Sequence, residues 1–207
     1  MVPLGSLEQH GPHLPMDTDT RIACFVASRA CAGRAGVGLA PPVAIGASGE
    51  HADFPGTLSI GTTALSLLLV ELGRHASLYW PAMLLVNGHG GNGPAITDAV
   101  SQLSDEGRKC HVWHAGLGGG DAHAGRTETS MMLALAPSEV LLDRAATGDT
   151  RPIAELLPEL RAHGVRKVSP NGVLGDPAGA SAAEGTRLLD LLVANLSEAL
   201  NSLLADA

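Results

Sequence analysis

"AMLLVNGHGGNGPAITDAVSQLSDEG", residues 82–107, decides how the chain is read. Its opening "AMLLVNG" is a short apolar run bounded by glycine, which predicts a buried strand, and "PAITDAVSQLSDEG" predicts a helix. A second strand, "KCHVWHAG" (109–116), follows directly. Strand, helix and strand in succession form a parallel pair with a crossover helix, and the pattern extends in both directions. Upstream, "MVPLGS" (1–6) predicts a strand and "DTRIACFVASRACAGRA" (19–35) a helix. "GLAPPVAIG" (38–46) predicts a strand and turn, and "TTALSLLLVELGRHAS" (62–77) a helix opened by threonine caps. Downstream, a helix near "TETSMMLALAP" (127–137) is closed by Pro137, residues 151–180 read as loops with a short helix, and residues 182–207 form the last helix. The expected fold is α/β: a mostly parallel central sheet with helices on both faces, one domain over residues 1–207.

Composition agrees with this and excludes several functions. Aromatic residues make up 2% of the chain, hydrophobic residues 45%, and there are 26 glycines, which suits aliphatic strands packed closely on alanine-rich helices. A formal net charge of −8 leaves no basic surface to release counterions from phosphates, so nucleic acid is not an expected partner. Apolar runs such as "ALSLLLVEL" (64–72) fall short of the ~20 residues of a membrane span. The three cysteines, Cys24, Cys31 and Cys110, have no C-x-x-C spacing, and no secretory leader opens the chain, which predicts reduced thiols and a cytoplasmic protein. The chain opens directly on a strand, as it would if a preceding segment were missing.

In an open parallel sheet, ligands bind beyond the carboxyl ends of the strands. Polar residues concentrate at those ends. "GSLEQHGPHLPMDTD" (5–19) follows the first strand and contains Glu8, His10 and Asp19. Glu8 and His10 are two apart, so extended backbone would point both the same way. His89 ends the strand of the opening stretch, and His123 and Glu128, in "DAHAGRTETS" (121–130), follow the next strand. Oxygen and nitrogen donors without thiolate suit Zn²⁺, Mn²⁺ or Fe²⁺. With a bridging aspartate, such a set can hold two divalent metal ions about 3.5 to 4 Å apart, whose shared water is acidic enough to supply hydroxide at neutral pH. The expected activity is hydrolysis, with that hydroxide attacking a carbonyl that one of the ions polarises. An open oxygen and nitrogen site favours catalysis over ions that merely staple loops.

Each residue also has a plainer reading. A histidine beside a glycine turn is often a hydrogen-bonded loop residue, so His89 gains weight only from its convergence with the others. His13 is a loop residue or a group behind the ligands. His51, in "GEHADFPGT" (49–57), lies in a loop that either covers the site or is structural. His75, His111 and His163 read as structural or exposed. Asp17, two residues from Asp19, competes with it as a ligand, and Asp17 and Asp121 are the reserves should Glu128 not be one.

The stretches "GSLEQHGPHLPMDTD", "FPGT", "NGHGGN", "HAGRTETSMMLAL" and "NGVLGDP" resemble, in order and spacing, the successive motifs of the creatininase family of amidohydrolases. The resemblance spans nearly the whole chain and implies a three-layer α/β/α fold, two divalent metals and cleavage of a carbon–nitrogen amide bond. It places Glu8 and His89 on one metal, His10 on the other, and Asp19 between them. His123 matches the histidine that protonates the leaving nitrogen, and Trp113 falls near a tryptophan that covers the substrate. One motif departs. Where creatininase proper has "NGHYEN", this chain has Gly90 for the tyrosine and Gly91 for the metal-binding glutamate, and Glu128 is the best-placed replacement carboxylate. Gly90 and Gly91 imply a pocket open enough for a peptide end, which sets creatinine aside. In these motifs the chain most resembles the mycofactocin-system branch of the family, whose members trim a modified precursor peptide at its C-terminal end. Small-molecule amide hydrolysis, of creatinine or a formamide nucleotide, is the alternative within the family. The resemblance also implies a symmetric homo-oligomer, a hexamer.

Gly88, Gly90 and Gly93 admit one further reading, the G-x-G-x-x-G of a dinucleotide site in an oxidoreductase. It lacks the ribose-binding acid at the end of the following strand, and His89 would crowd the pyrophosphate.

Overall fold

The computed structural model describes residues 1–205; the last two residues of the expected final helix lie outside this range. Three parallel strands, β1 (Val2–Leu4), β2 (Met83–Asn87) and β3 (Cys110–His114), stand side by side in that order. Leu85 of β2 is in register with Val2 on one side and Val112 on the other. Helices α1 (Thr18–Cys31) and α2 (Gly61–Ala76) lie between β1 and β2, and α3 (Gly93–Asp105) connects β2 to β3. Then follow α4 (Arg126–Leu135), α5 (Ile153–His163), α6 (Val165–Val168) and α7 (Ala182–Ala205).

The alternation of β2 assembles the two faces, because successive side chains of a strand point opposite ways. Leu84 and Val86 pack with Ile22 and Val26 of α1, Met131 and Met132 of α4, and Leu189, Leu192 and Leu196 of α7. Met83 and Leu85 pack with Leu65 and Leu69 of α2 and Ile96, Ala99 and Leu103 of α3. The result is the three-layer α/β/α arrangement expected from the sequence. Each fully buried leucine contributes on the order of 1.5–3 kcal/mol. Helix α7 is long and apolar enough to cross a membrane by length and mean hydropathy, 1.4. Its leucines 189, 192, 196 and 200, three or four apart, are buried on the protein's own core.

Three expectations change. Helix α2 starts at Gly61 after Ile60 with no side-chain cap, so Thr62 and Thr63 lie inside its first turn. Residues 38–46 form no strand; they run beside β1 with a single bridge, Leu4 to Val43, and hydrogen bonds Val43 N–H to Pro3 O (2.9 Å) and Gly5 N–H to Val43 O (3.0 Å). Pro41 and Pro42 lack the N–H groups a continuous ladder needs. Residues 151–180 contain two helices rather than one, α5 and α6, with Pro158 inside the first.

The rim at the carboxyl ends of the strands collects the polar segments. Leu4 leads into residues 5–19, Asn87 into His89, and His114 into the loop that reaches His123. Gly88 keeps this rim tight: a Cβ there would lie 2.6 Å from Asp19 O, so only glycine lets the first turn of α1 sit against the end of β2.

Candidate active site

Six of the residues singled out as ligands or catalytic groups meet at this rim. Asp19, in the first turn of α1, stands between two histidines: its Oδ1 is 3.1 Å from His10 Nε2 and its Oδ2 is 3.2 Å from His89 Nδ1. Glu8 Oε2 lies 3.2 Å from His89 Nε2, and Glu8 Oε1 lies 3.4 Å from His51 Nε2 and 3.7 Å from His123 Nδ1. Glu128 Oε2 is 4.0 Å from His10 Nε2 and accepts the Ala124 N–H at 2.6 Å. Three sets of donor atoms lie mutually within 4.8 Å: Glu8, His10 and His123; Glu8, Glu50 and His89; His10, Asp19 and Glu128.

Neighbouring polar groups fix these side chains. Ser6 Oγ donates to Asp19 Oδ2 (2.8 Å), and Asn92 Nδ2 donates to Asn87 Oδ1 and Gly5 O (both 3.0 Å), closing the turn that carries His89. The Gln9 amide donates to Gly172 O (3.0 Å) and meets His51 Nδ1 at 2.8 Å. His123 Nε2 lies 2.8 Å from Gln9 O and 3.1 Å from Gln9 Nε2; the nearer carbonyl can only accept, so the ring donates to it from Nε2 and turns Nδ1 to Glu8. Gln9 was not foreseen, because strict alternation would turn it away from Glu8 and His10. The strand ends at Leu4, however, and the irregular backbone beyond it brings all three together. His51 is itself buried in the cluster rather than spread over it.

The electrostatics show what the cluster lacks. Burial opposes the charged form of His10, but Asp19, with Glu128 and Glu8 behind it, outweighs burial and raises its pKa to about 10. Burial is likewise overcome at His89, which Glu8 and Asp19 hold well above the usual imidazole range. Asp19 is held well below the usual carboxylate range by His10 and His89 in spite of its burial. Burial, helped by His10, lowers His123 to about 3; burial, helped by His123, does the same to His51. Burial, together with Asp19 and Glu8, pushes the Glu128 carboxyl up to about 7 against the pull of His10.

Protons on His10 and His89 thus supply positive charge that divalent cations would replace. The Glu8 oxygens make the same point: both are fully buried and neither receives a well-aligned hydrogen bond, although the His89 ring stands 3.2 Å from Oε2. A buried carboxylate without such bonds is costly, and a cation satisfies it. The residues present therefore fit a metal centre of oxygen and nitrogen donors. Metal uptake at pH 7 is expected to release protons, because His10 and His89 must shed theirs to bind, and apparent affinity should rise with pH below about 10. Calorimetric titration in two buffers of different ionisation enthalpy checks this; equal heats in both would contradict it.

Other expectations fall elsewhere. Asp17 pairs with Arg21 (2.8 Å) away from the cluster, and Asp121 is exposed and accepts the Arg126 N–H. His13 meets Thr129 Oγ1 at 2.8 Å, behind the donors, and His75 and His163 are exposed. Trp113 packs against the core formed with α1, α4 and α7, and none of the contacts holding the cluster involves it. The two glycines expected to open the pocket have different surroundings. A side chain at Gly90 would meet open space, whereas the space beside Gly91 is filled by Glu50, His89 and Ala47. Glu50 itself was overlooked, although it adjoins His51 in a stretch already singled out. The buried His89 fills the turn that a dinucleotide would require.

The family model of creatininase, creatinine amidohydrolase, matches residues 1–200. A mycofactocin precursor peptide peptidase of Mycobacterium ulcerans is 54% identical over 202 residues, covering 93% of this chain and 80% of the relative. Creatinine amidohydrolase of Pseudomonas putida is 29% identical over 97% of this chain and 87% of its own. Among solved structures, a manganese creatininase superposes with a TM-score of 0.79 at 27% identity, over 98% of this chain and 89% of that one. On motifs, fold and matched length together, the chain belongs to the creatininase family.

Proposed function

We propose that this protein is a metal-dependent peptidase that removes the C-terminal end of a modified precursor peptide. The observation that carries the hydrolytic reading is the buried Glu8 carboxylate, without a well-aligned hydrogen bond, within a ring of His10, His51, His89 and His123, with Asp19 alongside. The peptide substrate is supported by the 54% identity to the Mycobacterium ulcerans relative and by the open space at Gly90. Glu8 and His89 would hold one divalent ion and His10 and Glu128 a second, with Asp19 between them. Zinc, manganese and iron all suit these donors. When bound, such ions acidify water and polarise an amide carbonyl.

The chain's own residues do the rest. Ser6 and the two histidines orient Asp19. Gln9 O fixes the His123 tautomer, so the free Nδ1 can take a proton from the attacking water and return it to the departing nitrogen. Glu128, half-buried and 4.0 Å from His10 Nε2, would lie beside that path as a carboxylate on the second ion. The exposed Leu67, Leu68 and Leu72 of α2, with Leu78 and Tyr79 just beyond it, support a homo-oligomer, a hexamer by family resemblance.

The test incubates metal-loaded protein separately with a C-terminally modified peptide, creatinine and a formamide nucleotide, following products by mass spectrometry. Release of a C-terminal fragment is expected. Creatine or formate as the sole product would replace the peptidase reading with small-molecule amide hydrolysis.

A further inference from the structure

Gly91 occupies the position where creatininase proper has a metal-binding glutamate, and the structure shows what fills the space beside it. A Cβ on Gly91 would lie 2.3 Å from Glu50 Oε1, 2.4 Å from His89 Nε2 and 2.5 Å from Ala47 O. A carboxylate from the single turn Gly49–His51 thus reaches the cluster through the gap the glycine leaves. Four oxygens crowd one ring nitrogen: Glu8 Oε2 and Ala47 O at 3.2 Å from His89 Nε2, Ser48 Oγ at 3.3 Å and Glu50 Oε1 at 3.5 Å. One N–H proton cannot satisfy them all. Two of the four are carboxylates, and setting like charges together at a largely buried site costs energy that a divalent cation recovers. Both Glu8 oxygens are also buried without a well-aligned hydrogen bond, Oε1 as well as the Oε2 that faces His89, and a cation would satisfy them.

Resting on the metal-dependent reading above, we propose that Glu50 is a ligand of the ion held by Glu8 and His89, closing that ion from the solvent side. Its side chain is 31% exposed whereas Glu8 is fully buried, so Glu50 would be the ligand nearer the solvent. Glu128 plays the corresponding part for the ion at His10, and the two glutamates serve separate ions. A role limited to orienting His89 is weaker, because Ala47 O already stands closer to the same nitrogen.

The test compares wild type with Glu50→Gln by equilibrium dialysis against Zn²⁺ with elemental analysis, and by Co²⁺ titration followed in the visible spectrum. Glutamine keeps the size and can still accept a hydrogen bond from His89, so a merely orienting role would survive the change. Metal content should fall from about two per chain towards one, with one affinity weakened beyond the roughly 100-fold loss typical of an outer hydrogen-bond partner, and with an altered Co²⁺ spectrum. Adding Glu128→Gln should empty the remaining site. Glu50→Gln that binds two ions with wild-type affinity and spectrum overturns the proposal while leaving the metal-dependent reading intact. A wild-type protein that takes up no ion overturns both.

Discussion

Asp19→Ala is expected to reduce amide hydrolysis to the uncatalysed background, a loss on the order of 10⁶-fold or more, and to lower metal content below that of any other single variant. Asp19 meets both halves of the site at hydrogen-bonding distance: Oδ1 meets His10 and Oδ2 meets His89 and Ser6. Truncation leaves two buried imidazoles without their nearest counter-charge. At neutral pH these carry protons because Asp19 is present, so the variant should also have a lower His10 pKa and a lower midpoint of thermal unfolding when metal-free. For His10, whose pKa is raised on folding, the stabilisation is full below about 6.5 and disappears as pH rises towards 10. The unfolding difference between wild type and variant should therefore be large at pH 6 and shrink towards pH 10. The fold should persist, since Asp19 lies at a sheet rim and the helices pack through Ile22, Val26 and the α7 leucines. Turnover within tenfold of wild type would sink the shared-carboxylate arrangement.

The sheet and its rim were legible because each strand is a short apolar run ending in glycine, asparagine or histidine, and the parallel order places those ends together. Glu8, His10, Asp19, His89, His123 and Glu128 could be gathered from that rule alone. What lies between elements could not. Gln9 reaches His51 because the chain is irregular after Leu4, where a period of two no longer applies. Glu50 reaches the cluster through a gap at Gly91, forty-one positions away, and no local pattern reports such a contact. The Pro41–Pro42 segment keeps strand-like composition while lacking the donors of a strand. Residues 151–180 carry one expected short helix and hold two, because proline and glycine, Pro158 and Gly164 among them, interrupt the helical pattern there. Trp113, expected near the substrate by family position, packs half-buried against the core formed with α1, α4 and α7.

His123→Gln is expected to retain both metal ions and lose about 10² to 10⁴ in kcat, the usual worth of a positioned proton-transfer group. The structure changes how that loss arises. The sequence reading has His123 as a resident acid, yet in the metal-free protein burial and the nearby His10 charge hold its pKa near 3, and bound cations would replace the His10 charge and keep the imidazole neutral at pH 7. A neutral imidazole must first accept a proton before delivering one. Its geometry suits that order: Nε2–H is committed to Gln9 O, and Nδ1, 3.7 Å from Glu8 Oε1, is the free base at the site. Glutamine fills a similar volume and can donate to Gln9 O, but its amide cannot relay a proton at any ordinary pH. Because the imidazole titrates far below neutrality, wild type and variant should have pH–rate profiles of the same shape between pH 5 and 8, displaced by a constant factor. An acid limb near pH 6 that vanishes in His123→Gln would show instead that the residue enters the reaction charged. Loss of metal from the variant would place His123 among the ligands, as its closeness to Glu8 and His10 permits. Unchanged metal, an unchanged profile shape and a lower kcat together identify the proton relay, because a ligand would alter the first and a resident acid the second.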